Sequence, residues 1–402
     1  MFNNKPQIAS PAAGEDLVRA RSFRSLWSGA AAVLAVAAGV AAAAPGADAS
    51  SRLAVCPPSQ AQPADPAHGG ILFGVSVVSS CSAWAVGLQT LSGGSSRTLI
   101  ERWNGHSWRI VASPNPQALD DSLSAVAASS PKNAWAAGAY GSMAGQRTLM
   151  VRWNGRAWRR IASPSPGLSS LLAAVASTRA GDAWAVGSFD TSSAAKTLTE
   201  WWNGHAWQRI PSPSPANIEN TLSGVAIVSP ADVWAVGSTG GAGTGHALIE
   251  HWNGHAWRQV TSPSLAGNNE LLGVTAISAG NVWAVGAQET STRTETLIEH
   301  WNGHAWRVIA SPSPGTMENI LAGVDAFSLA SIWAVGYTSN GERQTLIEHW
   351  NGHAWRRVAS QNPGGPANFN YLAAVSGTSC ANLWAVGHFA VGATGTPIAA
   401  RC

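Results

Sequence analysis

Glutamate and histidine, side chains that often act as acids, bases or metal ligands, recur at regular intervals in this 402-residue sequence. Five glutamates each stand two residues before a Trp-Asn-Gly sequence: Glu101, Glu200, Glu250, Glu299 and Glu348. Five histidines follow the glycine of that sequence (His106, His205, His255, His304 and His353), and three precede its tryptophan (His251, His300 and His349). A zinc site needs its ligands at about 2 Å from one atom, whereas equivalent residues of a repeat lie far apart. We therefore interpret both sets as structural and predict no metal, no cofactor and no catalytic residue among them.

The elements that carry these residues form a repeat with a period of about 50 residues. Trp-Asn-Gly copies begin at Trp103, Trp153, Trp202, Trp252, Trp301 and Trp350. A companion Trp-Ala-Val-Gly element, Trp-Ala-Ala-Gly in one copy, begins at Trp84, Trp135, Trp184, Trp234, Trp283, Trp333 and Trp384. A fixed period of this size indicates a solenoid, an array or a propeller.

Each period contains four short strands, here named a to d. In residues 222–263 they are predicted at 222–228, 233–238, 247–252 and 256–261, separated by turns rich in Pro, Gly and Asn. The Asn-Gly pair between strands c and d predicts a hairpin in which both residues tolerate positive φ. Four antiparallel strands per unit are typical of a propeller blade, so we predict an all-β, seven-bladed β-propeller. A parallel β-helix is the alternative, but its coils are shorter and it lacks such hairpins.

The seventh copy ends after strand c, so its outer strand is missing. Residues 51–57 precede the first strand a, and we expect this N-terminal strand to complete the last blade and close the ring. The predicted domains are therefore a signal peptide at 1–49, a closing strand and linker at 50–70, and the propeller at 71–402. The four cysteines, Cys56, Cys81, Cys380 and Cys402, gather at this seam. They are disulfide candidates, with Cys380–Cys402 and Cys56–Cys402 both open, and zinc binding is the rival interpretation.

The first 49 residues have the pattern of a secretory signal. Arg19, Arg21 and Arg24 precede an apolar run at 26–44, and Ala47-Asp48-Ala49 is a small-x-small cleavage sequence. The alternatives are an uncleaved anchor, for which the run is short, and lipidation at Cys56. We predict a secreted or cell-surface protein with no membrane span after cleavage. The formal charge of +3 is spread along the chain and gives no basis for nucleic-acid binding.

The Trp-Ala-Val-Gly, Trp-Asn-Gly and Ser-Pro-Ser-Pro elements resemble those of secreted bacterial WAVG/WNG-repeat proteins, which look like kelch-type β-propellers. The resemblance covers residues 71–402. It implies the fold and an extracellular location, and it implies no activity.

The predicted geometry gives the disc two unequal faces. The a–b and c–d turns barely change between repeats, whereas the b–c and d–a connections on the opposite face, the variable face, differ from blade to blade. Variable loops on a rigid scaffold commonly carry binding groups. The ligand-binding candidates on this face are Tyr140, Phe189, Asp190, Asn220, Asn269, Glu289, Arg293, Arg343, Phe369, Tyr371 and Phe389.

We expect the tryptophans of the repeats to be core rather than ligand platforms, since their register suits packing between blades. No hydrolase motif occurs. The sequence therefore favours a monomeric binding module for an extracellular polysaccharide or a secreted or surface protein. The alternatives are a carbohydrate-active hydrolase or lyase on the same face, and a structural protein of the cell envelope.

Overall fold

The computed structural model describes residues 62–117, 120–141, 145–240, 245–263, 265–392 and 394–401. Within them the chain forms 27 strands and no helix. Blade 1 contains β1 (Gly70–Ser79), β2 (Ser82–Thr90), β3 (Ser96–Trp103) and β4 (Trp108–Ile110). Blade 2 contains β5 (Ser122–Ser130), β6 (Asn133–Tyr140), β7 (Arg147–Trp153) and β8 (Trp158–Ile161). Blade 3 contains β9 (Ser169–Ser177), β10 (Ala183–Asp190), β11 (Ala195–Trp202) and β12 (Trp207–Ile210).

Blade 4 contains β13 (Glu219–Ser229), β14 (Asp232–Gly240), β15 (His246–Trp252) and β16 (Trp257–Val260). Blade 5 contains β17 (Asn269–Ser278), β18 (Asn281–Glu289), β19 (Thr294–Trp301) and β20 (Trp306–Val308). Blade 6 contains β21 (Glu318–Ser328), β22 (Ser331–Ser339), β23 (Arg343–Trp350) and β24 (Trp355–Val358). Blade 7 contains β25 (Phe369–Ser379), β26 (Asn382–Val391) and β27 (Thr394–Arg401). Each sheet is antiparallel and follows chain order, which confirms the predicted seven-bladed β-propeller.

The a strands surround the axis and touch one another. A Cβ added to Gly74 would meet Ala125 Cα at 3.0 Å, and one added to Gly323 would meet Ala374 Cα at 2.9 Å. Glycine is thus required where the backbones of neighbouring a strands approach this closely. The turns that precede the a strands therefore surround the axis on the variable face.

Clusters of three tryptophans join the blades. The strand b tryptophan of one blade packs against the strand c and strand d tryptophans of the next, with ring centroids about 5 Å apart, as for Trp84 with Trp153 and Trp158. The same contact joins the last blade to the first, where Trp384 lies 5.0 Å from Trp103 and 5.2 Å from Trp108. Trp333 of blade 6 instead faces Leu372, Val375 and Ile398, because blade 7 has no tryptophan on strand c. The tryptophans thus form the core as predicted, and the ring is closed.

The residues that follow the predicted closing segment contact the last and the first blade. Residues 51–57, predicted to complete blade 7, lie outside the described residues, and blade 7 shows three strands within them. Just beyond, the Ala399 amide on β27 donates to Gln62 Oε1 at 3.4 Å. The Ala64 amide donates to Glu101 Oε2 at 2.8 Å. In blade 4 the equivalent contact to the next blade comes from Ser262, which donates to Glu299. Residues 62–64 therefore occupy the place that the end of strand d takes in blade 4.

The cysteine prediction is only partly addressed by the described residues. Cys81 is disulfide-bonded, whereas Cys380 has an exposed, free thiol. Cys56 and Cys402 lie outside the described residues. The free thiol of Cys380 does not agree with the Cys380–Cys402 alternative. The partner of Cys81 and the boundary at residue 49 stay predictions. No helix in the described part of the chain is long and apolar enough to cross a membrane.

The Trp-Asn-Gly hairpins form as predicted, but their turns differ from the two-residue type. Trp252 pairs with Trp257, so four residues form the loop. Only the glycine has positive φ, 89° at Gly254. The Asn253 side-chain carbonyl accepts the amides of His255 and Ala256, both at 3.0 Å. Asparagine is therefore used for its side-chain acceptor rather than for its tolerance of positive φ.

Candidate functional site

The repeated glutamates lie in the core between blades rather than in a site. All five are fully buried on strand c. Burial raises the pKa of Glu200 to about 9, that of Glu250 and Glu348 to about 8, and that of Glu101 and Glu299 to about 7. The last two are raised less, since each carboxyl accepts a hydrogen bond, from Ala64 or Ser262. Glu200, Glu250 and Glu348 are therefore mostly protonated at neutral pH, whereas Glu101 and Glu299 are about half protonated. The five carboxyls do not converge on one point.

The repeated histidines also have structural positions. His251, His300 and His349 each stack on the strand b tryptophan of their own blade, with ring centroids 4.2 to 4.3 Å apart. Arg102 and Arg152 cover the equivalent tryptophans of blades 1 and 2. In the described part of the chain no three His, Cys, Asp or Glu side chains are grouped so that they could hold a metal. In these blades the strand c residue before the Trp-Asn-Gly tryptophan is therefore a histidine or an arginine because its side chain packs on the strand b tryptophan.

Two of the candidates are asparagines whose side chains form hydrogen bonds with backbone groups. Asn220 is fully buried; its Oδ1 accepts from the Ala216 amide and the Thr239 hydroxyl, and its Nδ2 donates to the Ala195 and Ala216 carbonyls. Asn269 donates to the carbonyls of Leu265 and Gly267. Both side chains fix the d–a connection. All hydrogen-bonding capacity of Asn220 is used in this way, which leaves none for a ligand.

Two aromatic candidates lie under arginine side chains, and a third packs against the core. The Arg160 guanidinium lies 4.5 Å from the Tyr140 ring and donates to its hydroxyl at 2.6 Å. The Arg209 guanidinium lies 4.5 Å from the Phe189 ring, and Phe189 is buried. Phe389 is half-buried against the core of blades 6 and 7. Phe189 therefore presents no exposed ring to a ligand, because Arg209 on strand d of its own blade covers it.

The charged candidates of blades 3 and 5 are Asp190, Glu289 and Arg293, and they lie at or beside the b–c connections. Asp190 is exposed at the end of β10. Glu289 accepts a hydrogen bond from Asn268 at 2.6 Å. Arg293 pairs with Glu295 at 2.9 Å and donates to the Gly315 carbonyl at 3.3 Å. These contacts organise the b–c and d–a connections and bring no group of candidates together.

The remaining candidates, Arg343, Phe369 and Tyr371, do lie together. With four further residues they form a group near the axis on the variable face, which we call the axial cluster: Glu270, Glu318, Tyr337, Arg343, Phe369, Tyr371 and His388. The Tyr371 ring lies 5.6 Å from the Tyr337 ring and 5.7 Å from the His388 ring. Phe369 stacks on His388 at 5.2 Å. Blades 5, 6 and 7 all contribute.

A single arginine lies between these rings. The Arg343 guanidinium lies 4.3 Å from the Tyr337 ring and 5.1 Å from the Phe369 ring, and its Nε donates to Glu318 Oε2 at 3.2 Å. Burial and then the nearby charge of Arg343 lower the pKa of His388 to about 4. The imidazole is therefore neutral at physiological pH. The positive charge of the cluster resides on Arg343 and is balanced by Glu318.

Several polar groups of the axial cluster are uncommitted. The hydroxyls of Tyr337 and Tyr371 and the carboxyl of Glu270 make no hydrogen bond within the described residues, and His388 Nδ1 is buried without a partner there. Burial, followed by the charge of Glu289, raises the pKa of Glu270 to about 8, so this carboxyl is protonated at neutral pH. Burial raises the pKa of Tyr371 to about 12. Free hydroxyl and carboxyl groups beside aromatic rings can bind a ligand that offers both hydroxyls or amides and an apolar face.

Sequence reasoning missed Tyr337 and His388, which lie on strand b four residues after the repeat tryptophan. Side chains at even spacing on a strand share a face. Tyr337 and His388 therefore share the face of Trp333 and Trp384, whereas Phe389 lies on the opposite face. His388 also pairs directly with Tyr371 in the sheet register. Strand alternation counted from the tryptophan was the signal that could have found both.

No protein-family model matches this chain, and no curated protein sequence matches it, so the resemblance to WAVG/WNG-repeat and kelch-type proteins stays a prediction. Solved structures do match in fold. YCF48 bound to D1 peptide is 14% identical, with a TM-score of 0.50 over 80% of this chain and 92% of that chain. YCF48 from Cyanidioschyzon merolae is 15% identical, with a TM-score of 0.50 over 85% of this chain and 98% of that chain.

A fucose-specific lectin from Aleuria aurantia is 13% identical, with a TM-score of 0.47 over 75% of this chain and 97% of that chain. At these identities the two YCF48 structures support the fold of this chain, a β-propeller, and nothing finer.

Proposed function

We propose that this protein is a secreted recognition module that binds an extracellular glycan or a protein segment at the axial cluster. The observation that carries the proposal is the set of uncommitted polar groups on Glu270, Tyr337 and Tyr371, placed among aromatic rings at the end of the axis. The repeated glutamates are buried and the strand c histidines are stacked in the scaffold. The histidines of the c–d turns are exposed on the opposite face, so neither set competes for this role.

The chemistry of the cluster suits a largely neutral ligand. Arg343 is balanced by Glu318, Glu270 is protonated, and His388 is neutral. The rings of Phe369 and Tyr371 are only half-buried, which leaves apolar surface beside the hydroxyls. A sugar residue offers hydroxyls and an apolar face, and a peptide offers amides and apolar side chains. The YCF48 structure with a bound peptide is the reason to include peptides in the search.

Removing two hydroxyl groups tests this proposal. The protein and its Tyr337→Phe/Tyr371→Phe variant are applied to a glycan array and to a peptide array. Because neither hydroxyl bonds within the described residues, the variant should keep its stability and bind its ligand at least about tenfold more weakly. The matched control is Tyr140→Phe, whose lost hydroxyl bonds to Arg160 and should matter for stability but not for binding. Equal binding by all three proteins would refute the site.

A carbohydrate-active hydrolase is the second candidate, favoured by one observation. Glu270 has a pKa raised to about 8, partly by the charge of Glu289, and glycosidases use a protonated carboxyl together with an ionised one. Hydrolysis of a polysaccharide panel that is lost in Glu270→Gln would establish this activity. Binding without hydrolysis leaves the recognition module as the function.

A further inference from the structure

Blade 4 lacks a hydrogen bond that, in five other blades, joins strand c to the segment after strand d. In five blades a threonine near the start of strand c donates to a carbonyl in the segment after strand d. Thr148 donates to Pro164 O at 2.8 Å, Thr197 to Pro213 O at 2.7 Å and Thr296 to Pro312 O at 2.9 Å. Thr98 and Thr345 make the same contact in blades 1 and 6. Blade 4 has Ala247 at this position, so Pro263 O loses its threonine donor.

The missing hydroxyl changes the partner of the adjacent serine. Ser163, Ser212, Ser311 and Ser360 lie within hydrogen-bond distance of their blade's threonine hydroxyl, at 2.7 to 2.8 Å. In blade 4 the equivalent Ser262 donates instead to Glu299 of the next blade at 2.9 Å. The substitution thus reorganises the local hydrogen bonds and leaves the space of the threonine side chain empty.

A cavity of about 320 Å³ lies at this place. Ala247, Pro263 and Leu265 give it an apolar side, and His246, Gln259 and Thr261 give it polar groups. No Asp, Glu, Lys or Arg lines it. Its volume is at the lower end of the range of about 300 to 1,000 Å³ for ligand sites, which suits a small molecule.

Asn269, which borders the cavity, provides a second and independent departure from the repeat. It is 4% exposed, and its Oδ1 is buried without a partner in the described residues. The equivalent Oδ1 of Asn319 accepts from the Gly315 amide at 2.6 Å and from the Thr338 hydroxyl at 2.9 Å. An unpaired buried acceptor is unfavourable, and a donor supplied by a ligand would satisfy it.

We propose that this blade 4 cavity binds a small, neutral, polyhydroxylated ligand such as one pyranose residue. A hydroxyl of the ligand donates to Asn269 Oδ1, Gln259 and Thr261 bind further hydroxyls, and Pro263 with Leu265 contacts the apolar face. The absence of charged lining residues favours a neutral ligand over a phosphate or a carboxylate. This inference does not depend on the axial cluster, since it involves other residues; Asn269 and Glu270 are neighbours on β17 but belong to the two different sites.

The test is saturation-transfer NMR of the protein with a panel of methyl pyranosides at millimolar concentration, followed by calorimetry. Ala247→Thr restores the contact present in the other blades, so it should fold, fill the cavity and weaken pyranoside binding at least about tenfold. The control His304→Gln, at an exposed position in a c–d turn on the opposite face, should leave this binding unchanged. Tyr371→Phe is measured in parallel. No binding by any pyranoside, or equal binding by Ala247→Thr, would overturn the proposal. Loss of binding in Tyr371→Phe alone would assign the sugar to the axial cluster instead.

Discussion

The buried glutamates predict an unusual dependence of stability on pH, which Glu348 tests best. Its carboxyl is fully buried on β23, and neither oxygen has a hydrogen-bond partner among the described residues. Burial raises its pKa from 4.5 to about 8. Because the folded pKa lies above the unfolded one, the unfolded chain releases this proton first as the pH rises. The stability that Glu348 contributes is therefore fully present below the unfolded pKa and is lost as the pH rises towards the folded pKa.

The magnitude follows from proton linkage. Within this window one such group lowers the free energy of unfolding by about 1.4 kcal/mol per pH unit. Glu348→Gln keeps the shape of the side chain and removes the titration. The unbonded amide of the variant carries a penalty of about 1 to 3 kcal/mol, and this penalty does not change with pH. Relative to wild type, the variant should therefore gain about 3 kcal/mol between pH values of about 5 and 7.5.

The assay is guanidinium unfolding followed by tryptophan fluorescence across that pH range. Glu342→Gln, at an exposed position of the preceding b–c connection, is the matched control and should unfold in parallel with wild type. Val151 occupies the equivalent position of blade 2, so Glu348→Val should also remove the contribution of Glu348 to the pH dependence. If the stability of Glu348→Gln ran parallel to wild type over the whole range, the carboxyl would not be held protonated and the reasoning would be refuted.

Further predictions concern the scaffold and the two proposed sites. Trp384→Ala removes the centre of the tryptophan cluster between blades 7 and 1, and should lower the free energy of unfolding by about 3 to 5 kcal/mol; a loss below about 1 kcal/mol would contradict ring closure through this contact. Asn319→Ala should destabilise the protein by about 2 kcal/mol more than Asn269→Ala, because Asn319 makes two further hydrogen bonds; equal losses in denaturant unfolding would contradict this account. At the axial cluster, loss of the Tyr337 and Tyr371 hydroxyls should weaken ligand binding without changing the unfolding midpoint. In blade 4, Ala247→Thr should raise the midpoint while it removes pyranoside binding.

Most of the fold could be predicted from the sequence because equivalent positions can be compared between the repeats. Each strand position occurs up to seven times, so the turn signals and the tryptophan register were visible without a structure. In blade 4 the predicted strand a at 222–228 is the centre of β13 (Glu219–Ser229). The Asn-Gly turn was the exception. Its four-residue loop is set by side-chain hydrogen bonds of the asparagine, which the dipeptide alone does not reveal.

The candidate site was predicted less completely, because binding groups differ between blades where the repeat gives no guidance. Arg343, Phe369 and Tyr371 were identified from their position in variable segments, and they lie together. Phe189 was not distinguishable from them, since its burial depends on Arg209 reaching over from strand d. The blade 4 cavity could not be predicted from the sequence. Its prediction requires knowing that the threonine which Ala247 replaces donates, in other blades, to a carbonyl after strand d. Cavities and covered rings are tertiary features, and local patterns do not encode them.

The measurement that tests the central claim most directly is a crystal structure of the protein with the ligand found by the array screens. The account predicts that the ligand lies over the axis on the variable face, in contact with Glu270, Tyr337 and Tyr371. A ligand on the opposite face, where the a–b and c–d turns lie, or on the outer edge of the blades away from this cluster, would contradict it.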